Sequence, residues 1–195
     1  ITVVSIAGFV LIVMGYGQAR LAPVPLWNPP MWLRHISLLL NLLAFILLFA
    51  AYVPRNAIKA KIGHPMVAGV KVWALAHLLA NGNFADVLLF GSFLVWAVLD
   101  FRASRRRDRQ NEIAYPAGTV LGTLATLAIG TVVWAVALVV ALLLRVYSGR
   151  TPQEILATDP VFLKDLGLLE ALSTNRGNGI AAMARKLTEL KQIKI

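Results

Sequence analysis

The residue with the clearest capacity for chemistry is His77, which lies inside the apolar run 66–80. Trp73 and Asn81 stand four residues before and after it, so on a helix the three side chains share one face. An ionisable side chain within a membrane segment is a functional hypothesis by default, and imidazole nitrogens are common metal ligands. The alternative is a neutral histidine that is hydrogen-bonded to its own helix.

A second histidine, His35, stands just before the apolar run 36–53. If this run and 66–80 form neighbouring antiparallel helices, His35 and His77 lie at the same depth. Two imidazoles at one depth on different helices can hold haem iron between them. The other interpretation of His35 is a histidine at the level of the lipid headgroups that faces water.

The third histidine, His64, lies in the triplet Gly63-His64-Pro65. Proline is favoured at the first helical position, so the triplet predicts a helix that begins at Pro65 and is capped by the His64 side chain. No Ser-His-Asp set, HExxH motif or Gly-rich phosphate loop is visible, so a hydrolase, a zinc protease and a nucleotide-binding protein have no support. The catalytic residues, if any, are unknown at this point.

Membrane helices must position these residues. Hydrophobic residues make up 58% of the chain and charged residues 14%, whereas a soluble domain carries about a quarter charged residues. The chain has no cysteine, which excludes disulfides and thiolate metal sites within it. The net charge of +10 is divided among loops beside the apolar runs, so the expected partner is membrane lipid and not nucleic acid.

Five apolar runs predict an all-α, polytopic membrane protein with about five transmembrane helices. In a bilayer each backbone polar group must be satisfied within its own segment, which helices achieve. The runs are 1–15, 36–53, 66–80, 84–101 and 117–147. The third and fourth are joined by the turn Asn81-Gly82-Asn83 and therefore form a helical hairpin.

The basic residues predict the orientation of these helices. Loops 54–65 and 102–116 hold three and five Lys or Arg, against two in loop 16–35. The positive-inside rule therefore places the first two loops in the cytoplasm and the ends that carry His35 and His77 outside. Loop 16–35 is rich in Pro and Trp, which predicts an ordered, extended interfacial segment, either a belt anchor or a lid over a binding site.

Residues 148–195 have the composition of a helical tail outside the membrane. Residues 151–154 (TPQE) match the sequence pattern of a capping box and predict the start of a helix. Apolar residues then recur at three- and four-residue spacing at Ile180, Met183, Leu187 and Leu190. This spacing predicts an amphipathic last helix, which can lie on a membrane, pack on other membrane protein subunits or pack on the tail itself. We therefore divide the chain into a transmembrane bundle, 1–147, and a tail, 148–195.

The segment HPMVAGVKVWALAHLLANG, residues 64–82, resembles the NnrU family of bacterial inner-membrane proteins, as do GYGQAR at 15–20 and WLRH at 32–35. That family is related to the 15-cis-zeta-carotene isomerase of plants and cyanobacteria. The resemblance covers residues 1–109. It implies a multi-pass protein of the bacterial inner membrane that binds haem b and has a redox or isomerase-related role.

The same resemblance implies roles for individual residues. His77 matches a haem-ligating histidine and is the candidate iron ligand, and His64 matches the histidine of the family's RHP motif. The candidate cofactor-binding residues are then His77, His35, His64, Trp73 and Asn81. The chain starts within an apolar run and has no counterpart of the family's first helix, so we expect that helix to be missing.

Two further interpretations stay open. The pattern HPxxxG at 64–69 is similar to that of membrane methyltransferases that hold S-adenosylmethionine, although those proteins carry paired glutamates after the next hairpin and this chain has only Glu112 there. The other is a non-catalytic membrane subunit or assembly factor. Its tail, 148–195, and its basic loop would dock a larger membrane complex.

Overall fold

A computed structural model describes residues 2–147, and among these every regular element is a helix. The helices are α1 (Thr2–Ala19), α2 (Met31–Ala50), α3 (Ala57–Ile62), α4 (Pro65–Ala80), α5 (Phe84–Gln110) and α6 (Val120–Tyr147). The predicted all-α fold is confirmed. The chain divides into two compact units between residues 138 and 139, and the second contributes only the end of α6 to the described part. The helices predicted within 148–195 lie outside it.

Four of the described helices are long and apolar enough to cross a bilayer, namely α1, α2, α5 and the 120–142 part of α6. The fifth apolar helix, α4, has 16 residues, somewhat fewer than the roughly 20 that a bilayer core requires. Length and composition therefore agree with the predicted multi-pass membrane protein of about five helices, in contact with lipid.

Helix α4 is the centre of the bundle, because it packs against both α2 and α5, while α1 touches α5. The apolar residues buried in the bundle are mostly alanine, namely Ala44, Ala50, Ala68, Ala74, Ala76 and Ala97. Small residues let membrane helices approach each other closely. Many large apolar side chains are exposed, among them Leu39, Leu88 and Leu99. Such side chains are suited to lipid, which is as apolar as they are.

Three helices extend beyond their predicted ends. Helix α1 continues to Ala19 rather than ending near residue 15. Helix α2 begins at Met31, directly after the extended Pro30, rather than at residue 36. Helix α5 continues to Gln110 instead of ending near 101, because arginine is a good helix former and the charges of Arg107 and Arg109 are favourable at a helix C-terminus. Apolar runs locate the membrane part of a helix and not its ends.

The predicted loop 54–65 contains the short helix α3. The side chain of Asn56 caps it by accepting a hydrogen bond from the backbone N–H of Lys59 at 2.7 Å. A six-residue helix is too short to show a hydrophobic period, which is why the sequence pattern did not predict it.

The segment 20–30 between α1 and α2 is held against the turn between α4 and α5. Pro25 and Asn83 form an isolated antiparallel β-bridge. The main-chain oxygen of Gly82 accepts hydrogen bonds from Leu26 and Trp27, at 2.8 and 3.2 Å. These bonds order the segment and hold the end of α1 near the start of α5.

Candidate functional site

His77 lies in the last turn of α4, where its half-buried imidazole is held by aromatic rings. The ring of Phe90 stacks on it, with centroids 4.4 Å apart and planes at 8° to each other. The indole of Trp73, one turn earlier on α4, meets the imidazole edge-on at 5.2 Å. The predicted shared face of Trp73 and His77 is confirmed, and the neighbouring rings fix the orientation of the imidazole.

These rings belong to a larger group, the aromatic cluster, made of Tyr16, Trp73, His77, Phe90 and Phe93. Trp73 lies 5.2 Å from Phe90 and 5.6 Å from Phe93. Tyr16 of α1 lies 6.4 Å from Phe90. All three contacts are edge-on, an arrangement that is favourable because ring edges are positive and ring faces negative. The aromatic cluster therefore joins α1, α4 and α5 and gives His77 an apolar environment.

The ring nitrogens of His77 form no hydrogen bond with any residue in the described part of the chain. The side-chain amide of Asn81 donates to the main-chain oxygen of His77, at 3.0 Å, and not to its ring. A stacked ring covers the face of an imidazole, whereas a ligand binds a ring nitrogen in the plane of the ring. The geometry thus leaves the nitrogens available, while Asn81 secures the end of α4.

A buried carboxylate, Asp86, lies in the first turn of α5 and is 5% exposed. It accepts hydrogen bonds from the hydroxyl of Tyr16, at 2.5 Å, and from the amide of Asn83, at 3.0 Å. A negative charge in the first turn of a helix is also stabilised by the helix dipole. Asp86 thus links α1 to α5 beside the aromatic cluster. The candidate site predicted from the sequence does not include Asp86, although a carboxylate inside the apolar run 84–101 is a pattern that could have identified it.

His35 is exposed on the second turn of α2. The start of α2 does lie beside the end of α4, because the hydroxyl of Ser37 donates to the main-chain oxygen of Ala76 at 2.6 Å. No hydrogen bond or ring contact joins His35 to His77 within residues 2–147. In the same residues no three His, Cys, Asp or Glu side chains come together as a metal site. The two histidines therefore share one end of the bundle, without a direct contact between them in the described residues.

An apolar cleft of about 520 Å³ lies between α1 and α5, next to the aromatic cluster. Tyr16 and Phe93 line the cleft and also belong to the cluster. Its volume is within the range of small-molecule sites, about 300–1,000 Å³. The sequence did not reveal the cleft, because no local pattern shows which helix packs beside α1.

His64 lies at the opposite end of α4 from His77, in a second group that we call the polar cluster, made of His64, Asp108 and Tyr115. The Nε2 atom of His64 is 2.9 Å from Oδ2 of Asp108, and the Tyr115 hydroxyl donates to the same oxygen at 3.0 Å. The prediction that His64 caps α4 is wrong, since its side chain forms no cap hydrogen bond. The preceding Gly63 turns the chain with a φ of 80°, and a carboxylate is a stronger hydrogen-bond partner than neutral backbone groups.

The Tyr115 hydroxyl makes the stability of the polar cluster pH-dependent. Partial burial and the hydrogen bond to Asp108 raise the pKa of Tyr115 above its usual value of 10. Only the neutral phenol donates to Asp108, so its contribution to stability is complete below about pH 10 and is lost as the pH rises through the raised pKa. We expect Tyr115→Phe to melt a few degrees below the unmodified chain at neutral pH, with a difference that closes at strongly alkaline pH.

Thermal unfolding of both chains in detergent, followed from about pH 7 to about pH 12, measures this difference. Tyr52→Phe is the matched control, because the Tyr52 hydroxyl is exposed and contacts the sulfur of Met66 at 3.6 Å. A difference for Tyr115→Phe that stays constant across the alkaline range would contradict the assigned role of its hydroxyl.

The sequence that forms this arrangement is similar to known protein families. A family model described as NnrU protein matches residues 1–147, more than half of the chain. The chain belongs to the NnrU family. The aromatic cluster, the cleft and the polar cluster of this NnrU protein all lie within the matched residues.

A second family model matches a later part of the NnrU protein. It is described as an Fe-S metabolism associated domain, SufE, and covers residues 136–191, most of which lie outside the described residues. No curated protein and no solved structure matches the chain.

Proposed function

We propose that this NnrU protein binds haem b in the bacterial inner membrane and has a redox role, with His77 as the iron ligand. The observation that carries the proposal is the half-buried imidazole of His77, which Phe90 and Trp73 hold in place. Its nitrogens have no hydrogen-bond partner among the described residues. Haem iron takes axial nitrogen ligands of this kind in a water-poor pocket.

The residues present fit a haem that takes one axial ligand from the described part of the chain. Phe90 fixes the plane of the His77 ring, and neighbouring groups that orient a ligand strengthen metal binding. Asn81 holds the backbone of His77 at the helix end. Under this proposal neither of the other histidines supplies a second ligand, because His35 is exposed and has no contact with the aromatic cluster among the described residues, and His64 lies at the far end of α4.

Bound haem would supply one-electron chemistry at its iron. The aromatic cluster keeps the surroundings of His77 apolar, and the cleft between α1 and α5 offers about 520 Å³ for an apolar substrate. Because Tyr16 and Phe93 belong to both the cleft and the aromatic cluster, a substrate there would lie beside the haem site. An isomerase-related role on an apolar substrate is therefore the narrower form of the proposal.

The inner-membrane location is supported by the distribution of charge. Loops 54–65 and 102–116 together hold eight Lys and Arg, and each basic residue near an anionic inner surface contributes about 1 kcal/mol. The polar cluster joins these two segments through His64 and Asp108, so they lie at the same end of the bundle, as the positive-inside rule requires.

Absorbance spectroscopy of the purified chain, reconstituted with haem in detergent, tests the proposal. We expect a Soret band from the unmodified chain and its loss in His77→Ala. His35→Ala is the matched control, because it removes an exposed histidine outside the aromatic cluster, and it should retain the band. Thermal unfolding of both variants confirms that they are folded. A Soret band that never forms, or one that survives in folded His77→Ala, contradicts the proposal.

A second proposal is a non-catalytic subunit or assembly factor of a larger membrane complex, docked through the tail, 148–195. The match to an Fe-S metabolism associated domain over 136–191 favours it, because that match covers the tail and little of the bundle. Iron–sulfur clusters are held mainly by Cys thiolates, and the 195 residues contain no cysteine. Under this proposal the tail binds a partner protein and not a cluster.

Copurification of the full chain and of a version that ends at Arg150 tests the second proposal. A defined partner that is retained only by the full chain supports it. If both versions migrate as monomers without a partner, the tail has no docking role.

A further inference from the structure

The end of α5 beyond its apolar segment carries a cavity surrounded by cations. Phe101, Arg102, Arg105 and Arg109 line this cavity, which has a volume of about 320 Å³. The three arginines are spaced by three and four residues, so they lie on one face of the helix. A cavity with three guanidinium groups and one aromatic ring is suited to an anion.

A fourth cation reaches the same place from α4. The Nζ atom of Lys71 lies 3.7 Å from the centroid of the Phe101 ring, and the charges of Lys71 and Arg102 are close enough to repel each other. The long side chain lets a lysine on an apolar helix place its charge near the membrane surface. Three positive groups thus line the cavity and a fourth lies against the Phe101 ring beside it, which is unfavourable unless an anion offsets them.

The nearby carboxylates offset these charges only in part. Asp108 is 3.5 Å from Arg105, but the same oxygen already serves the polar cluster. Within residues 2–147, neither Arg102 nor Arg109 forms an ion pair or a side-chain hydrogen bond. Over residues 100–110, five arginines stand against two aspartates, a net charge of +3.

We propose that this cavity binds the phosphate group of an anionic phospholipid. It lies directly after the apolar part of α5, 84–101, where a helix leaves the hydrocarbon core and meets the lipid headgroups. Arginine suits phosphate because its planar fork donates two parallel hydrogen bonds. Free phosphate offers the same oxygens. The position of the cavity at the membrane surface and the apolar Phe101 ring nevertheless favour a lipid as the molecule that carries the bound phosphate group.

Lipid binding by the purified full chain in detergent, measured by native mass spectrometry, tests this proposal. The variant Arg102→Gln/Arg109→Gln removes two cavity cations that are exposed and unpaired in the described part. The matched control, Lys61→Gln/Arg106→Gln, removes the same charge from exposed positions outside the cavity lining. Lys61 belongs to the segment 54–65, which is predicted to lie on the same side of the membrane as the cavity.

We expect the cavity variant to bind phosphatidylglycerol about tenfold more weakly, and the control variant to change by about twofold through general charge attraction. Phosphatidylcholine should bind weakly to all three chains. If both variants lose the same affinity for phosphatidylglycerol, general attraction to a basic surface explains the binding, and the proposal is overturned. A different result would show that the cavity binds free phosphate and not a lipid. In that case inorganic phosphate binds with the same dependence on the arginines, and the chain does not prefer phosphatidylglycerol to phosphatidylcholine.

Discussion

Gly82→Ala will lower the melting temperature of the protein in detergent by about 10 °C. A Cβ atom added at Gly82 would clash with the main-chain oxygen of Trp27, so one of the two backbone segments must move. That movement breaks the hydrogen bonds that the Gly82 oxygen accepts from Leu26 and Trp27. Overpacking and the loss of these bonds together cost about 3 kcal/mol.

The effect should be strongest in the segment 20–30, which the turn holds in place. Arg20 is exposed in this segment, so trypsin should cleave the variant there faster than the unmodified chain. Gly91→Ala is the matched control, because a Cβ at Gly91 meets nothing within 4 Å. Alanine stabilises a helix by up to about 1 kcal/mol relative to glycine, so this variant should not melt below the unmodified chain. If Gly82→Ala melts and is cleaved like the unmodified chain, the contact with Trp27 does not hold the segment.

Gly82 also illustrates how far sequence reasoning reaches. The triplet Asn81-Gly82-Asn83 correctly predicts a turn between α4 and α5. The glycine, however, does not adopt a left-handed φ. It is required because Trp27, more than fifty positions earlier in the chain, lies against it. A local pattern predicts the turn, whereas the constraint on the side chain comes from a distant segment.

The number and order of the membrane helices were predictable, and so was the packing of α4 on α5 as a hairpin, but the other neighbours were not. A membrane helix is recognised by the apolar character of its own residues, which the sequence displays directly. Which helices meet depends on small residues such as Ala76 and Ala97, which are buried at the contacts. An alanine has the same apolar character whether it faces lipid or another helix, so hydropathy does not distinguish the two.

In the candidate site, contacts within one helix were predictable and contacts between helices were not. Trp73 and His77 lie four residues apart on one helix, so the helical period alone places them together. Tyr16 and Asp86 meet across a separation of 70 residues, and Phe90 reaches the imidazole from α5. Such contacts depend on tertiary packing. Depth alone placed His35 at the correct end of the bundle, but it does not determine which face of α2 carries the side chain.

His64 shows how a distant partner overrides a local preference. Its position before Pro65 correctly predicts where α4 begins. The side chain nevertheless turns to Asp108, 44 positions later in the chain, because a charged acceptor binds an imidazole N–H more strongly than a neutral group does.

Asn56→Ala should destabilise the protein by about 3 kcal/mol, because the asparagine side chain is 1% exposed and fully hydrogen-bonded. Its amide donates to the main-chain oxygens of Ala50 and Val53, at 2.9 and 2.6 Å. Its oxygen accepts from the N–H of Lys59 at 2.7 Å. Alanine leaves all three backbone groups without a partner. Thermal unfolding in detergent measures the loss.

Asn56→Asp separates the two roles of this side chain. Aspartate caps a helix as well as asparagine does, and its charge is favourable at the start of α3, so a purely local cap would survive the change. A carboxylate cannot donate to Ala50 and Val53, and it places a buried negative charge against their two carbonyl oxygens. We therefore expect Asn56→Asp to be at least as destabilising as Asn56→Ala, while the same change at the exposed Asn28 has little effect. If Asn56→Asp melts like the unmodified chain, Asn56 acts only as a cap, and other contacts hold the end of α2 against the start of α3.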